Sequence, residues 1–161
     1  MRTIRVCTAA IARFLMSAIF LAGAVKTVLT WHESEKNLMN ALCEWQPHVG
    51  FSGTAQDCLS YLIPWTPLLL AIATLFMRVG GLLVLLGIRE MIGAFLLILF
   101  IIPATLLSHP FWFLEGAARE MQTAMFLKNI AILGGLLLML LHGGQGKSAG
   151  SGDSFPSLKI G

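Results

Sequence analysis

Long apolar runs separated by shorter polar segments form the main pattern of this chain. Four stretches are apolar over roughly the length of a membrane crossing, and they cover residues 7–29, 64–87, 91–108 and 122–142. A helix needs about 20 residues to cross a hydrocarbon core of about 30 Å. Lipid offers the backbone no hydrogen-bond partners, so such stretches are expected to be helical. The pattern therefore predicts an all-α fold, an integral membrane four-helix bundle.

Composition supports this class. The chain has 161 residues, of which 57% are hydrophobic and only 12% are charged. Its mean hydropathy of +0.80 lies far from the balance of a soluble domain. The expected partner is the lipid bilayer, and no nucleic-acid partner is expected.

The basic residues predict the orientation of the bundle. Arg2 and Arg5 precede the first apolar stretch, and Arg89 lies between the second and third. The segment 31–61 holds four acidic residues against Lys36 alone. Lysine and arginine concentrate in cytoplasmic loops, so both termini are predicted to be cytoplasmic and the segment 31–61 to be an outer loop.

The chain is predicted to form one domain, residues 1–142, followed by a tail. Residues 143–161 are rich in Gly and Ser and predict a disordered cytoplasmic tail. The first stretch also fits a cleaved signal peptide, with an apolar region at residues 14–21 before Ala22-Gly23-Ala24. Arg13 interrupts that apolar run, which favours a retained helix, but cleavage stays open.

Two cysteines of the outer loop, Cys43 and Cys58, could form a disulfide if that side is oxidising. The alternative is two unpaired thiols, and the sequence does not separate the two.

Several catalytic signatures are absent from the sequence. There is no Cys-x-x-Cys, no Gly-rich phosphate loop and no His-Glu-x-x-His pair. The four histidines fall at or outside the ends of the apolar stretches, which disfavours haem held within the bundle. No metal site is predicted, the catalytic residues are unknown, and it stays open whether the protein is an enzyme.

Charged residues inside the apolar stretches give the strongest functional signal, because such side chains are rare in hydrocarbon. Arg13 and Glu90 fall at similar depth in the inner half, which predicts a structural ion pair. Arg78 lies near the middle of the second stretch with no acidic residue at its depth. It could extend toward the cytoplasmic interface or hold an anionic or carbonyl-bearing ligand.

A second group of polar residues is predicted near the outer face. Lys26, His109, Lys128 and Asn129 come to similar depth because the first and fourth helices run in opposite directions. A layer of hydrogen-bond donors suits an oxyanion or a quinone carbonyl. The same residues could instead form a purely structural network.

Several motifs occur together in this chain. They are Arg13, Phe20-Leu21, Gly23 and Lys26 of the first stretch, the paired Gly80-Gly81, residues 104–112, and residues 126–135. With this combination the chain resembles the DoxX family of small bacterial membrane proteins, over roughly residues 10–142.

The resemblance implies a multi-pass protein of the bacterial inner membrane, related to the DoxD subunit of thiosulfate:quinone oxidoreductase. It implies a role in membrane-associated redox and sulfur or thiol stress systems. Taken with the polar residues near the outer face, this predicts a redox component that binds quinone or a sulfur oxyanion. The expected ligand residues are Lys26, Arg78, His109, Lys128 and Asn129. Three features depart from the family pattern: Met77 stands where many members have a glutamate, Pro110 replaces an acidic residue, and the outer loop is longer. The loss of these acids weakens the case for direct catalysis.

Two functions stay open. The first is a redox component that has no redox centre beyond its cysteines, so that a bound quinone or a redox partner subunit would carry out the electron chemistry. The second is a non-catalytic membrane scaffold or small-anion transport module that uses the same residues to join helices. Besides lipid, the expected partner is a redox partner subunit or, in a homo-oligomer, a second copy of the chain.

Overall fold

All regular structure is helical in the residues that the computed structural model describes, 2–48 and 53–142. The predicted tail, residues 143–161, lies outside these ranges. Short 3₁₀ segments at Gln46–His48, Ile63–Trp65 and Phe111–Phe113 lie between longer helices. The α-helices of the described chain are α1 (Arg2–Leu29), α2 (Trp31–Trp45), α3 (Gly53–Leu62), α4 (Thr66–Leu86), α5 (Glu90–Ser108) and α6 (Gly116–His142).

Four spans of the described chain are long and apolar enough to cross a membrane: Val6–Leu29, Ser60–Leu86, Glu90–Phe113 and Gly116–Leu141. Only 11% of the apolar window in the first span and 6% in the last is buried within the protein, against 33% in the other two. The protein leaves most apolar side chains of α1 and α6 uncovered, as lipid-facing helices require. The all-α, four-span membrane fold is confirmed, whereas the cytoplasmic placement of both termini stays a prediction.

The long helices pack in the order α1 on α4, α4 on α5, and α5 on α6. Helix α6 meets α1 where Met16 lies directly against Gly135. Phe20, Leu97 and Leu136 are buried in the core between these helices. The ring of Phe20 also meets that of Phe100 edge to face, with centroids 6.2 Å apart, which joins α1 to α5 across the core.

Two glycines bring the backbones of α4 and α5 together. A Cβ on Gly93 would lie 2.9 Å from the carbonyl oxygen of Gly80, and one on Gly80 would lie 3.0 Å from that of Gly93. No larger side chain fits at either position without moving a helix. Small residues allow this approach, which gains van der Waals contact where lipid supplies no hydrophobic drive for helix association.

A tight turn joins α4 to α5. Gly87 has a φ of +66°, a conformation that glycine adopts without strain. Its N–H donates to the carbonyl of Val84 at 3.1 Å, and the N–H of Ile88 donates to that of Leu83 at 3.1 Å. These bonds satisfy carbonyl groups that the end of α4 would otherwise leave free.

Arg13 of α1 reaches this turn. Its Nη2 lies 2.5 Å from Oε1 of Glu90, the first residue of α5. A Cβ at Gly87 would come within 3.0 Å of Nη1 of Arg13, so the glycine also makes room for the guanidinium. The structure thus brings together Arg13 and Glu90, the two charges that the sequence places at similar depth in the membrane.

The segment 31–61, expected to be an outer loop, contains α2 and all of α3 except its last residue, Leu62. Helix α2 packs on α4 and α5, with Leu42 only 2% exposed. The amide Nε2 of Gln46 donates to the hydroxyl of Ser60 at 3.0 Å, which ties the segment after α2 to α3. We call the end of the bundle where α1 ends and α4 begins the α2 end.

The cysteines are exposed thiols. Cys43 lies on α2 and Cys58 on α3, and neither is in a disulfide in this structure. Cys7 lies near the start of α1, at the other end of the bundle. The Cys43–Cys58 disulfide stays a prediction.

We expect Arg13→Gln to lower the free energy of unfolding by about 1–3 kcal/mol, between the values for exposed and buried pairs, because Glu90 loses its partner. The thermal midpoint of the detergent-purified protein measures this loss, and the exchange Arg13→Glu with Glu90→Arg should recover part of it. Arg89→Gln, at an exposed neighbouring arginine, is the matched control. Equal shifts for Arg13→Gln and Arg89→Gln would show that the pair adds no specific stability.

Gly93→Ala should destabilise the bundle by roughly 1–3 kcal/mol, because its Cβ meets backbone that cannot move without separating α4 from α5. Gly134→Ala is the control, since nothing lies within 4 Å of a Cβ built at Gly134. We expect that variant to unfold at or above the wild-type midpoint, because alanine favours helix over glycine. A Gly93→Ala variant with the thermal midpoint of the wild type would contradict the close packing of α4 and α5.

If both termini are cytoplasmic, a membrane-impermeant maleimide should label Cys43 and Cys58 in spheroplasts, after reduction if the two are bonded, and reach Cys7 only after permeabilisation. Labelling of Cys7 in sealed spheroplasts would reverse the orientation.

A rise in labelling of Cys43 and Cys58 after mild reduction would support their disulfide, and equal labelling before and after reduction would exclude it.

Candidate functional site

A cleft of about 880 Å³ lies at the α2 end of the bundle. It runs between the parts of α1, α4 and α5 nearest this end, and α2 lines its remaining side. A volume of this size falls in the range of sites that bind small molecules. None of the lining residues comes from α6.

The part of the cleft formed by α4 and α5 is apolar. Leu70, Phe76 and Met77 of α4 line it together with Phe100 of α5. Gly23 of α1 lines the cleft beside them, and a Cβ built at this glycine would make ordinary van der Waals contact with the sulfur of Met77, at 3.6 Å. This surface can accept hydrocarbon and offers it few polar groups.

The part formed by α1 and α2 is polar, and it centres on the bend between these helices at Thr30. The hydroxyl of Thr30 donates to the carbonyl of Lys26 at 3.0 Å and lies 3.3 Å from the hydroxyl of Ser34. Lys26, Glu33 and Asn37 line the cleft around this bend. Within the described residues, the ammonium of Lys26 and the carboxylate of Glu33 form no salt bridge or hydrogen bond.

An aromatic cluster holds the far end of α2. The ring of Trp45 packs edge to face against Trp112 and Phe113, with centroids 5.6 Å and 5.3 Å apart. His48 stacks on Phe113 at 3.6 Å. Nε1 of Trp45 is buried and finds no acceptor among the described residues. The cluster fixes α2 to the segment between α5 and α6. Because α2 forms one side of the cleft, this contact holds the cleft in shape.

Of the sequence-predicted ligand residues, only Lys26 lines this cleft. Lys128 is exposed on α6, where its Nζ donates to the sulfur of Met125 at 3.4 Å. Arg78 is exposed on α4, and its guanidinium has no hydrogen bond or salt bridge with the described residues.

The other two predicted residues lie where α5 and α6 meet. Nδ1 of His109 lies 2.6 Å from Oε1 of Gln122, a bond that joins the end of α5 to α6. Asn129 lines a separate small pocket of about 90 Å³ between these helices, together with Thr105 and Phe126. These two residues therefore belong to the contact between α5 and α6 and not to the cleft.

Helix order explains why the predicted layer is divided. Depth along the membrane places Lys26 and Lys128 at one level, but α6 packs on α5 and meets α1 at Met16 and Gly135. The direction in which each side chain points is set by helix rotation, which depth does not reveal.

The carboxylates and amides of α2 at the cleft, among them Glu33 and Asn37, were not predicted as site residues. A signal for them existed in the sequence: Leu38, Leu42 and Trp45 recur at intervals of four and three, the spacing of one apolar helix face. That spacing indicates an amphipathic helix lying on the bundle. Among the described residues, no group of three His, Cys, Asp or Glu side chains could hold a metal ion together.

Comparison with known proteins gives one curated relative. The chain is 32% identical over 96 residues to the inner membrane protein YphA of Escherichia coli (strain K12), and the match covers 59% of this chain and 68% of YphA. No solved structure matches the chain. The four apolar spans and this relative identify the chain as a multi-pass inner-membrane protein.

The expected membership in the DoxX family is wrong. The family model that matches this chain is that of the HR-like lesion-inducing proteins, and the match covers residues 6–141. Paired glycines and lysines near helix ends arise in many membrane bundles, because close packing and the cost of buried charge favour them there. Such features are therefore poor markers of one family. The chain belongs to the HR-like lesion-inducing family.

Proposed function

We propose that this protein binds an amphipathic membrane ligand in the cleft at the α2 end. The observation that supports this is the division of the cleft into two parts, an apolar surface on α4 and α5 and the free ammonium of Lys26 beside α2. A ligand with a hydrocarbon body and an oxygen-bearing head matches both parts.

Lys26 is the proposed donor to the head of the ligand. It lies three residues before the end of α1 at Leu29, about 4.5 Å along the helix axis and hence near the membrane interface. A hydrogen bond from a charged donor contributes about 1.5–3 kcal/mol. An oxygen atom that accepts from Lys26 would therefore orient the ligand with its head toward α2.

Two kinds of membrane molecule share this chemistry, the carbonyl of a quinone and the phosphate of a phospholipid. A small sulfur oxyanion fits less well, because the cleft is mostly apolar and Glu33 and Glu44 also line it. In the redox form of the proposal the chain holds quinone, and a partner subunit supplies or removes electrons.

A different observation supports the alternative of a scaffold or homo-oligomer. Lys128 and Arg78 are exposed on α6 and α4, inside two membrane spans. Charged groups in hydrocarbon usually pair with an opposite charge, and neither side chain has a carboxylate partner among the described residues. A neighbouring protein could supply that partner.

The test is native mass spectrometry of the protein purified in mild detergent, with wild type, Lys26→Gln and Lys128→Gln compared. We expect wild type and Lys128→Gln to retain a small molecule that Lys26→Gln loses by about tenfold or more, since that factor corresponds to about 1.4 kcal/mol. Thermal midpoints confirm that each variant is folded. The mass of the molecule distinguishes quinone from phospholipid.

Equal retention by wild type and Lys26→Gln would contradict the proposed site. A Lys128→Gln variant that keeps its ligand but loses a partner protein or changes oligomeric state would favour the scaffold alternative.

A further inference from the structure

The charges that line the cleft are of both signs. Lys26 is its basic residue, and Glu33 and Glu44 of α2 are acidic. All three side chains are exposed to the cleft or to solvent. A ligand with a single negative head would be attracted by one side chain and repelled by two, so this lining disfavours a purely anionic head.

Lys26 and Glu33 lie on either side of the bend at Thr30, four residues before it and three residues after it. They form no salt bridge with one another, although opposite charges at one bend could have done so. Asn37 lies one helical turn beyond Glu33 and lines the same cleft. The bend thus presents a separate cation and a separate anion, with an amide next to the anion.

Resting on the proposed function, we propose that the ligand is a phospholipid with a zwitterionic, primary-amine head, as in phosphatidylethanolamine. A phosphate oxygen accepts a hydrogen bond from Lys26, and the ammonium of the head donates to Glu33 and to the side-chain oxygen of Asn37. The acyl chains lie along the apolar surface of α4 and α5. Each charge of the head then meets its opposite.

The lining also distinguishes a primary amine from a quaternary one. A quaternary ammonium has no N–H to donate and is bound mainly by the faces of aromatic rings. The aromatic residues of the cleft are Phe76 and Phe100, which lie about 15 Å and 12 Å along their helices from the ends of α4 and α5 nearest α2. The acceptors beside α2 are oxygen atoms, which suit a donating ammonium.

The position of the cleft agrees with a lipid. Lys26 is close to the end of a membrane span, and phospholipid heads occupy the same interface. A lipid bound here needs little displacement from its place in the bilayer. A quinone head would use Lys26 and would leave Glu33 and Asn37 without a ligand partner.

The experiment reconstitutes the full chain in vesicles of equal parts phosphatidylethanolamine, phosphatidylglycerol and phosphatidylcholine with a small fraction of ubiquinone. The molecules that remain bound after gentle extraction are then quantified by mass spectrometry. We expect phosphatidylethanolamine to be enriched over the other two phospholipids by about tenfold in the wild type, the factor of one charged hydrogen bond. Glu33→Gln should remove most of that enrichment while a phospholipid stays bound through Lys26.

Glu35→Gln is the matched control, because Glu35 lies on α2 but does not line the cleft. We expect this variant to keep the wild-type enrichment, and thermal midpoints verify that each variant is folded. Equal retention of the three phospholipids, preference for phosphatidylglycerol, or an unchanged preference in Glu33→Gln would overturn the zwitterionic head.

Retention of ubiquinone alone, lost in Lys26→Gln, would overturn the lipid proposal and leave the proposed function intact. Failure of the wild type to retain any of these molecules in a Lys26-dependent way would overturn both. The two proposals therefore fail by different results.

Discussion

The ion pair between Arg13 and Glu90 ties α1 to the turn that joins α4 to α5. Lipid gives helices no hydrophobic reason to associate, so packing and polar bonds must hold a membrane bundle together. The pair supplies a charged bond between Nη2 and Oε1 at 2.5 Å, and Gly87 leaves the space that the guanidinium needs. Together with the contact of Gly80 and Gly93, it fixes three helices at the end of the bundle opposite α2.

Tight packing at one end allows an open cleft at the other. The core residues Phe20, Met77 and Leu97 fill the space between the helices, and the cleft begins beside Gly23 and Met77. Helix α2 then lies over α4 and α5, held by Leu42 and by the aromatic contacts of Trp45. The cleft is therefore a consequence of helices fixed at one end and covered at the other by an amphipathic helix.

The chemistry of the cleft follows from the helices that line it. Lipid-spanning helices supply an apolar surface, because their sequences have almost no polar residues to offer. The amphipathic α2 supplies carboxylates and amides, because polar residues of this helix such as Glu33 and Asn37 line the cleft beside its apolar residues. Lys26, at the end of α1, lies where these two environments meet. A ligand that is itself amphipathic matches this arrangement better than a small ion or a wholly apolar molecule.

The sequence by itself determined the class of fold, because four long apolar stretches can satisfy their backbone in lipid only as helices. It also paired Arg13 with Glu90, since depth alone restricts the partners of a charge within a bundle. Depth alone could not tell whether Lys26 and Lys128 share a surface. Helix order and rotation determine this, and only the tertiary structure gives them. In the structure α6 lies against α5 outside the cleft, so that Lys26 lines the cleft and Lys128 does not. For the same reason only the structure revealed that Glu33 and Asn37 line the cleft, because they reach it only when α2 folds back over the bundle.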